Sequence, residues 1–168
     1  MKNKIHTIEV ENNETQSVDK ITEKIRENKI IYVKNKFYEE KDVLDSITED
    51  GPAIILNSSG SSGKPRHCFH HLDNLKLSAT TSGQWLVEQG FELQNCLILN
   101  TLPLNHISGL MPIFRSQTWG CDCINISPNL IKKTRELLLF TIKFKKNKKH
   151  LITSVSYTHL TLPTKRNV

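Results

Sequence analysis

The stretch best equipped for chemistry is Ser58-Ser59-Gly60-Ser61-Ser62-Gly63-Lys64-Pro65-Arg66, which directly follows a short apolar run. Gly60 and Gly63 admit positive φ and close backbone approach, so successive N–H groups can turn toward an anion. The hydroxyls of Ser58, Ser59, Ser61 and Ser62 add donors without bulk, and Lys64 and Arg66 bring charge for phosphate oxygens. Together these residues suit a polyphosphate. They do not make a Walker A loop, which needs G-x-x-x-x-G-K-[ST] and a hydroxyl after the lysine for the metal ion. Ser58 stands at the first glycine position and Pro65 at the hydroxyl position, which disfavours a P-loop kinase or GTPase. The competing reading of the same composition is a flexible Ser/Gly linker.

Two further groups of residues invite a chemical reading. In Leu102-Pro103-Leu104-Asn105-His106-Ile107-Ser108-Gly109-Leu110, Pro103 ends a strand and opens a loop at its carboxyl edge. Open parallel sheets place their ligands at that edge. His106 is then expected to project toward the site, and Gly109 to let the next helix start tightly. Taken alone, a single histidine is most simply a structural hydrogen-bonder. His67, His70 and His71 form the second group. Strand alternation sets His67 and His71 on one face and His70 on the other, so they read as structural or pocket-rim residues. Cys68, Cys96, Cys121 and Cys123 contain one C-x-C pair and no C-x-x-C knuckle. Reduced, mostly buried thiols are expected, and no metal site.

The elements that must hold these residues can be read from periodicity. Residues 17–28 predict a helix capped by Ser17, with Val18, Ile21 and Ile25 on one face. Residues 30–33 predict a strand and 39–47 a second helix. Residues 53–56 form an apolar run bounded by Pro52 and the serine cluster, hence a buried strand. A short strand over 68–70 follows, then a long helix capped by Asp73 and ended by Gly90. Residues 96–101 read as a strand, 109–118 as a helix closed by Gly120, and 121–126 as a strand. Ser127-Pro128 opens a helix through Phe140 or beyond. Its apolar face is Leu130, Thr134, Leu137, Leu138 and Thr141, opposite Lys132, Lys133, Arg135 and Glu136. Residues 151–155 predict the last strand. Strands alternating with helices of these lengths imply crossover units, so the fold class is α/β with a parallel-rich sheet and flanking helices.

Composition narrows the partners. A chain of 168 residues with 37% hydrophobic residues can bury a core as one domain. No apolar run is long enough to span a membrane, and the first 16 residues hold no signal-peptide core. A cytoplasmic protein with no membrane partner is expected. The net charge of +6 is unevenly spread: residues 1–130 hold 13 basic and 16 acidic side chains, and residues 131–168 hold 10 and one. The basic character therefore describes a segment and not the whole surface. The run from Lys143 to Lys149 reads as a solvated helix end, with nucleic acid an unlikely partner.

The loop, with Asn74-Leu75 opening the next helix, resembles the Ser/Thr/Gly-rich phosphate signature of the adenylate-forming enzymes, whose members include acyl-CoA synthetases. That signature usually ends in Lys-Gly, where Arg66-His67 stands here, and it carries Thr-His where His70-His71-Leu72 stands. Residues 102–110 resemble the same family's L-P-L-x-H-x-x-G-L motif. The wording His106-Ile107-Ser108-Gly109-Leu110 is most similar to the o-succinylbenzoate–CoA ligases of menaquinone or phylloquinone synthesis. The resemblance covers residues 51–154, and the first 50 match only loosely.

That resemblance implies an incomplete N-terminal part of an adenylate-forming fold. Residues 1–50 would be a polar N-terminal segment and 51–154 a partial AMP-binding domain. It implies ATP, Mg²⁺, coenzyme A and a small carboxylic acid as ligands, with the oligomeric state open. Ser58, Ser59, Gly60, Ser61, Ser62, Gly63, Lys64 and Arg66 would hold the β- and γ-phosphates, and His106 would line the acyl pocket. The family's adenine, ribose and C-terminal lysine motifs have no counterpart, so this chain alone is not expected to turn over. Residues 155–164 resemble a translation of the transposase adapter used in sequencing libraries. Residues 155–168 are therefore expected to be a non-native tail. The alternative reading is a stand-alone phosphate- or nucleic-acid-binding α/β module.

Overall fold

The computed structural model describes residues 4–11, 15–36, 51–58, 66–131, 133–144 and 150–154. Two sheets carry the chain, and both are built mainly from parallel pairs. The first has the order β1 (Ile5–Val10), β2 (Ile30–Asn35), β3 (Ala53–Ser58) and β4 (Arg66–His71). β1, β2 and β3 run parallel, and β4 pairs antiparallel with β3. The second has the order β6 (Asp122–Asn125), β5 (Cys96–Asn100), β7 (His150–Ser154), all parallel. The expected α/β class with a parallel-rich sheet is what the molecule has.

The main core lies on one face of the first sheet. Ile8 and Val10 of β1, Ile31 and Val33 of β2, and Ile54 and Leu56 of β3 point into it at every second residue. Three helices cover that face: α1 (Thr15–Arg26) with Ile21 and Ile25, α2 (Leu72–Glu88) with Leu72, Leu75 and Ala79, and α3 (Ile107–Trp119) with Leu110, Ile113 and Phe114. The alternate residues Ile30, Tyr32 and Ile55 form a smaller cluster on the opposite face with Ile5 and Phe69. A strand buried on both faces needs a continuous apolar run, which is why Ala53-Ile54-Ile55-Leu56 does not alternate. α3 also contacts all three strands of the second sheet. The other side of that sheet, through Leu97, Leu99 and Ile126, packs on Leu130, Leu137 and Phe140.

Several expectations change. Ile5–Val10 is a strand within a stretch that reads as merely polar, and α1 and β2 join it in the main core. α2 starts at Leu72 with His71 in the N-cap position and no side-chain cap, so Asp73 sits in the first turn instead. α3 begins at Ile107, two residues earlier than expected, and Gly120 closes it in the left-handed conformation at φ 66°. The single helix expected from Pro128 is two, α4 (Pro128–Ile131) and α5 (Thr134–Phe144). Leu138, placed on its buried face by periodicity, is exposed. Of the four free cysteines only Cys96 is buried; the other three are partly exposed. The expected helix over 39–47, the lysines at 145–149 and the tail at 155–168 lie outside the described residues.

Candidate polyphosphate site

β3 and β4 are registered through their last and first residues. Ser58 stands opposite Arg66, and its Oγ donates to the Arg66 carbonyl at 3.3 Å. The serine- and glycine-rich stretch thus leaves from the carboxyl end of a parallel strand and returns as the antiparallel strand beside it. Residues 59–65, which include six of the eight candidate phosphate contacts, namely Ser59, Gly60, Ser61, Ser62, Gly63 and Lys64, lie outside the described residues. Ser58 is partly buried and Arg66 is exposed, so the cation stands at the mouth.

The base of this hairpin is held by a residue absent from the sequence reading. The buried Tyr32 hydroxyl on β2 accepts from Asn57 Nδ2 at 2.9 Å, just before Ser58. The Tyr32 ring also meets His67 edge-on, centroids 5.5 Å apart at 84°. Phe69 meets His71 in the same manner at 5.0 Å. These contacts place His67 and His71 on the Tyr32 side, and His70 opposite Ile54 on the core side. Burial there holds the His70 imidazole below its ordinary affinity for protons. The expected alternation of the three histidines is what the strand shows, and among the described residues no group of three His, Cys, Asp or Glu side chains could hold a metal.

The second motif is built around a buried amide. Asn100, the last residue of β5, is fully buried. Its Nδ2 donates to the Gly109 carbonyl at 2.8 Å and to Asn125 Oδ1 at 2.7 Å, and its Oδ1 accepts from the Leu102 N–H at 3.1 Å. One side chain therefore ties the end of β5 to its neighbour β6, to the loop and to the first turn of α3. Gly109 is required there: a Cβ would lie 2.0 Å from the Pro103 carbonyl oxygen. His106 occupies the N-cap position of α3 with extended backbone, and its side chain makes no capping bond. Its N–H donates to the Pro103 carbonyl at 3.1 Å, its own carbonyl accepts from Gly109 and Leu110, and its ring is exposed. Asn100 had one legible signal, a polar residue closing the apolar run Cys96-Leu97-Ile98-Leu99.

No protein-family model matches the chain, and no curated protein matches it. Solved structures do. A double mutant of o-succinylbenzoate CoA synthetase from Bacillus subtilis, bound with its product analogue OSB-NCoA, matches at TM-score 0.48 and 15% identity over 90% of this chain and 43% of that one. The same enzyme in complex with the acyl-adenylate intermediate OSB-AMP matches at TM-score 0.46 and 13% identity, covering 92% and 56%. The McyG A-PCP protein complexed with phenylalanyl-adenylate matches at 0.47 and 16%, covering 89% and 32%. This chain spans about half or less of the length of the structures it matches. With TM-scores below 0.5 these likenesses assign neither family nor activity, and function has to be sought in the chain's own residues.

Proposed function

We propose that the chain is part of an ATP-dependent carboxylate–CoA ligase. Such an enzyme joins a carboxylic acid to AMP and then passes the acyl group to coenzyme A. The observation that carries this reading is the placement of two strand-end motifs. The Ser58–Arg66 stretch leaves the carboxyl end of β3, and the His106 loop leaves the carboxyl end of β5, braced by Asn100.

In the first step a carboxylate oxygen attacks the α-phosphorus of ATP, the bond to the bridging oxygen breaks, and pyrophosphate leaves with the electron pair. Backbone N–H groups and hydroxyls at Ser58, Ser59, Gly60, Ser61, Ser62 and Gly63, with Lys64 and Arg66, would hold the β- and γ-phosphates. Their positive field stabilises charge building on the leaving group. The exposed Arg66 and half-buried Ser58 at the hairpin mouth fit such an anion. His106 would line the acyl pocket and orient the carboxylate, its exposed ring being free of a capping duty. In the second step the coenzyme A thiol attacks the acyl carbon, loses its proton and displaces AMP. Mg²⁺ would enter with the nucleotide and neutralise phosphate charge. The His106-Ile107-Ser108-Gly109-Leu110 wording favours an acid of the o-succinylbenzoate type. On this reading residues 51–154 are a partial AMP-binding domain of a longer, cytoplasmic enzyme, and 155–168 a non-native tail.

The nucleotide half of the reading can be tested on the chain as it stands. Titration with pyrophosphate and with Mg-ATP, followed by amide chemical shifts, is expected to perturb residues 58–66. The double variant Lys64→Ala/Arg66→Ala is expected to abolish the perturbation. Shifts confined to other segments, or unchanged in the variant, would overturn the assignment.

A further inference from the structure

The first sheet ends at β1, which has a neighbour on one side only, with no strand beyond it among the described residues. Successive residues of a strand direct their N–H and C=O groups to opposite edges. The Val10 carbonyl accepts from the Lys36 N–H at 3.1 Å, so the backbone groups of Val10, Ile8 and His6 face β2. Those of Thr7 and Glu9 therefore face outward. A cavity of about 540 Å³ lies against this edge and touches Thr7, Ile8 and Glu9 in succession. The side chains of consecutive strand residues alternate between faces, so a cavity that meets all three meets the backbone edge itself.

α1 supplies the other wall. Ser17, Ile21 and Ile25 form one buried stripe at four-residue spacing, on the face that α1 turns to the sheet. Ile21 and Ile25 enter the main core, whereas Ser17 lines the cavity. Ser17 is only 5% exposed, and its hydroxyl makes no hydrogen bond among the described residues. Lys20, one turn further on, lines the same cavity. The carboxylates of this cavity are already matched, Glu9 by its register partner Lys34 and Glu11 by Lys36, each at 3.0 Å. Both ion pairs draw the carboxylates toward the β2 side, away from the edge that charge would otherwise block. Lys20 has no such partner among the described residues, so the cleft keeps an uncompensated positive charge.

We propose that the edge of β1 binds an extended acidic peptide, which joins the first sheet as an added strand. The outward N–H and C=O groups of Thr7 and Glu9 recur about every 7 Å, and an extended polypeptide returns partners at the same spacing. A carboxylate side chain of that peptide on the α1 side meets Lys20 and the Ser17 hydroxyl. A second copy of this chain is disfavoured, because two-fold pairing over residues 7–11 centres on Glu9 and sets like charge against like charge. The test is backbone amide hydrogen exchange in the 168-residue chain, with the blocked peptide TEVEVET and with its charge-reversed counterpart TKVKVKT. TEVEVET is expected to slow exchange at Thr7 and Glu9 at least about fivefold. Ile8, which already faces β2, is expected to stay as it was, and TKVKVKT to leave all three unchanged. Thr7→Pro removes an outward N–H and no bond to β2. Its circular dichroism spectrum is expected to be unaltered while binding of TEVEVET falls about tenfold. Lys20→Glu is expected to reverse the preference, so that TKVKVKT binds in place of TEVEVET. Unslowed exchange at Thr7 and Glu9 with TEVEVET would overturn the proposal. So would equal slowing by both peptides, or binding unchanged in Thr7→Pro. Slowing at Thr7 and Glu9 that grows with protein concentration and needs no peptide would overturn it in favour of a second copy.

Discussion

The side-chain amide of Asn100 donates to the backbone carbonyl of Gly109 at 2.8 Å, across nine residues of chain and inside the protein. Between the two lie the loop that presents His106 and the first residues of α3. The same amide also reaches Asn125 on β6 and takes the Leu102 N–H, so both ends of the loop are fastened to one buried group. His106 owes its position to Asn100 without touching it through its ring.

Removing that group should be costly. Asn100→Ala strands the Gly109 carbonyl, the Leu102 N–H and Asn125 Oδ1 in a buried place, for a loss of about 2–4 kcal/mol. Asn100→Asp is expected to destabilise further, because the carboxylate faces two acceptors where it has no proton to give. Urea midpoints at constant m-value measure both.

Gly109→Ala tests the close approach directly. A methyl group 2.0 Å from the Pro103 oxygen and 2.7 Å from the Leu102 oxygen meets backbone on both sides. Those atoms cannot swing away as a side chain would. A loss of about 3 kcal/mol or more is expected, beyond the helix-propensity gain of about 1 kcal/mol that alanine brings. Thermal unfolding checks it.

Gly83 plays a different part, in the interior of α2. A Cβ there would lie 2.6 Å from Trp119 Nε1, which donates to the Ala79 carbonyl at 2.8 Å. The obstacle is now a side chain, so some relief is available. Gly83→Ala is expected to cost about 1–2 kcal/mol net and to alter the near-ultraviolet signal of the buried indole. Trp119→Phe should lower stability by about 1–3 kcal/mol through the lost indole hydrogen bond and lost ring volume, the Ala79 carbonyl keeping its bond from the Ser82 hydroxyl.

These contacts mark the boundary of what the residues announce in one dimension. The strand at Ala53-Ile54-Ile55-Leu56 and the glycine-tightened start of α3 are legible because an apolar run and a glycine each have a local cause. Asn57 and Tyr32 are not, and Asn100 shows only its place at the end of an apolar run and none of its partners, because a hydrogen bond spanning 25 residues leaves no local spacing behind it. β1 went unread because its outward residues Thr7 and Glu9 are polar, leaving only Ile8 and Val10 as a short alternation. The exposed Leu138 shows the reverse error. Periodicity counts apolar residues on a face but cannot tell whether anything covers them.

Acid should weaken the fold through His70. Its folded-state proton affinity lies below the ordinary value of 6.5 because burial disfavours the imidazolium. The unfolded chain therefore takes up the proton first. Its contribution to stability is present above that value and is lost as pH falls through it toward the lower, folded one. Urea midpoints are expected to decline from about pH 7.5 to about pH 5.5, and His70→Gln to flatten the decline.

The most direct measurement of the proposed activity is carboxylate-dependent exchange of labelled pyrophosphate into ATP. It should be made on the chain extended through the continuing reading frame of its locus. With o-succinylbenzoate as the acid, exchange is predicted, and Lys64→Ala is predicted to slow it about a hundredfold, as expected for removing a charge from the leaving-group cradle. An exchange rate that is unchanged by Lys64→Ala, or that does not depend on any carboxylic acid, would contradict the assignment of residues 58–66 to pyrophosphate.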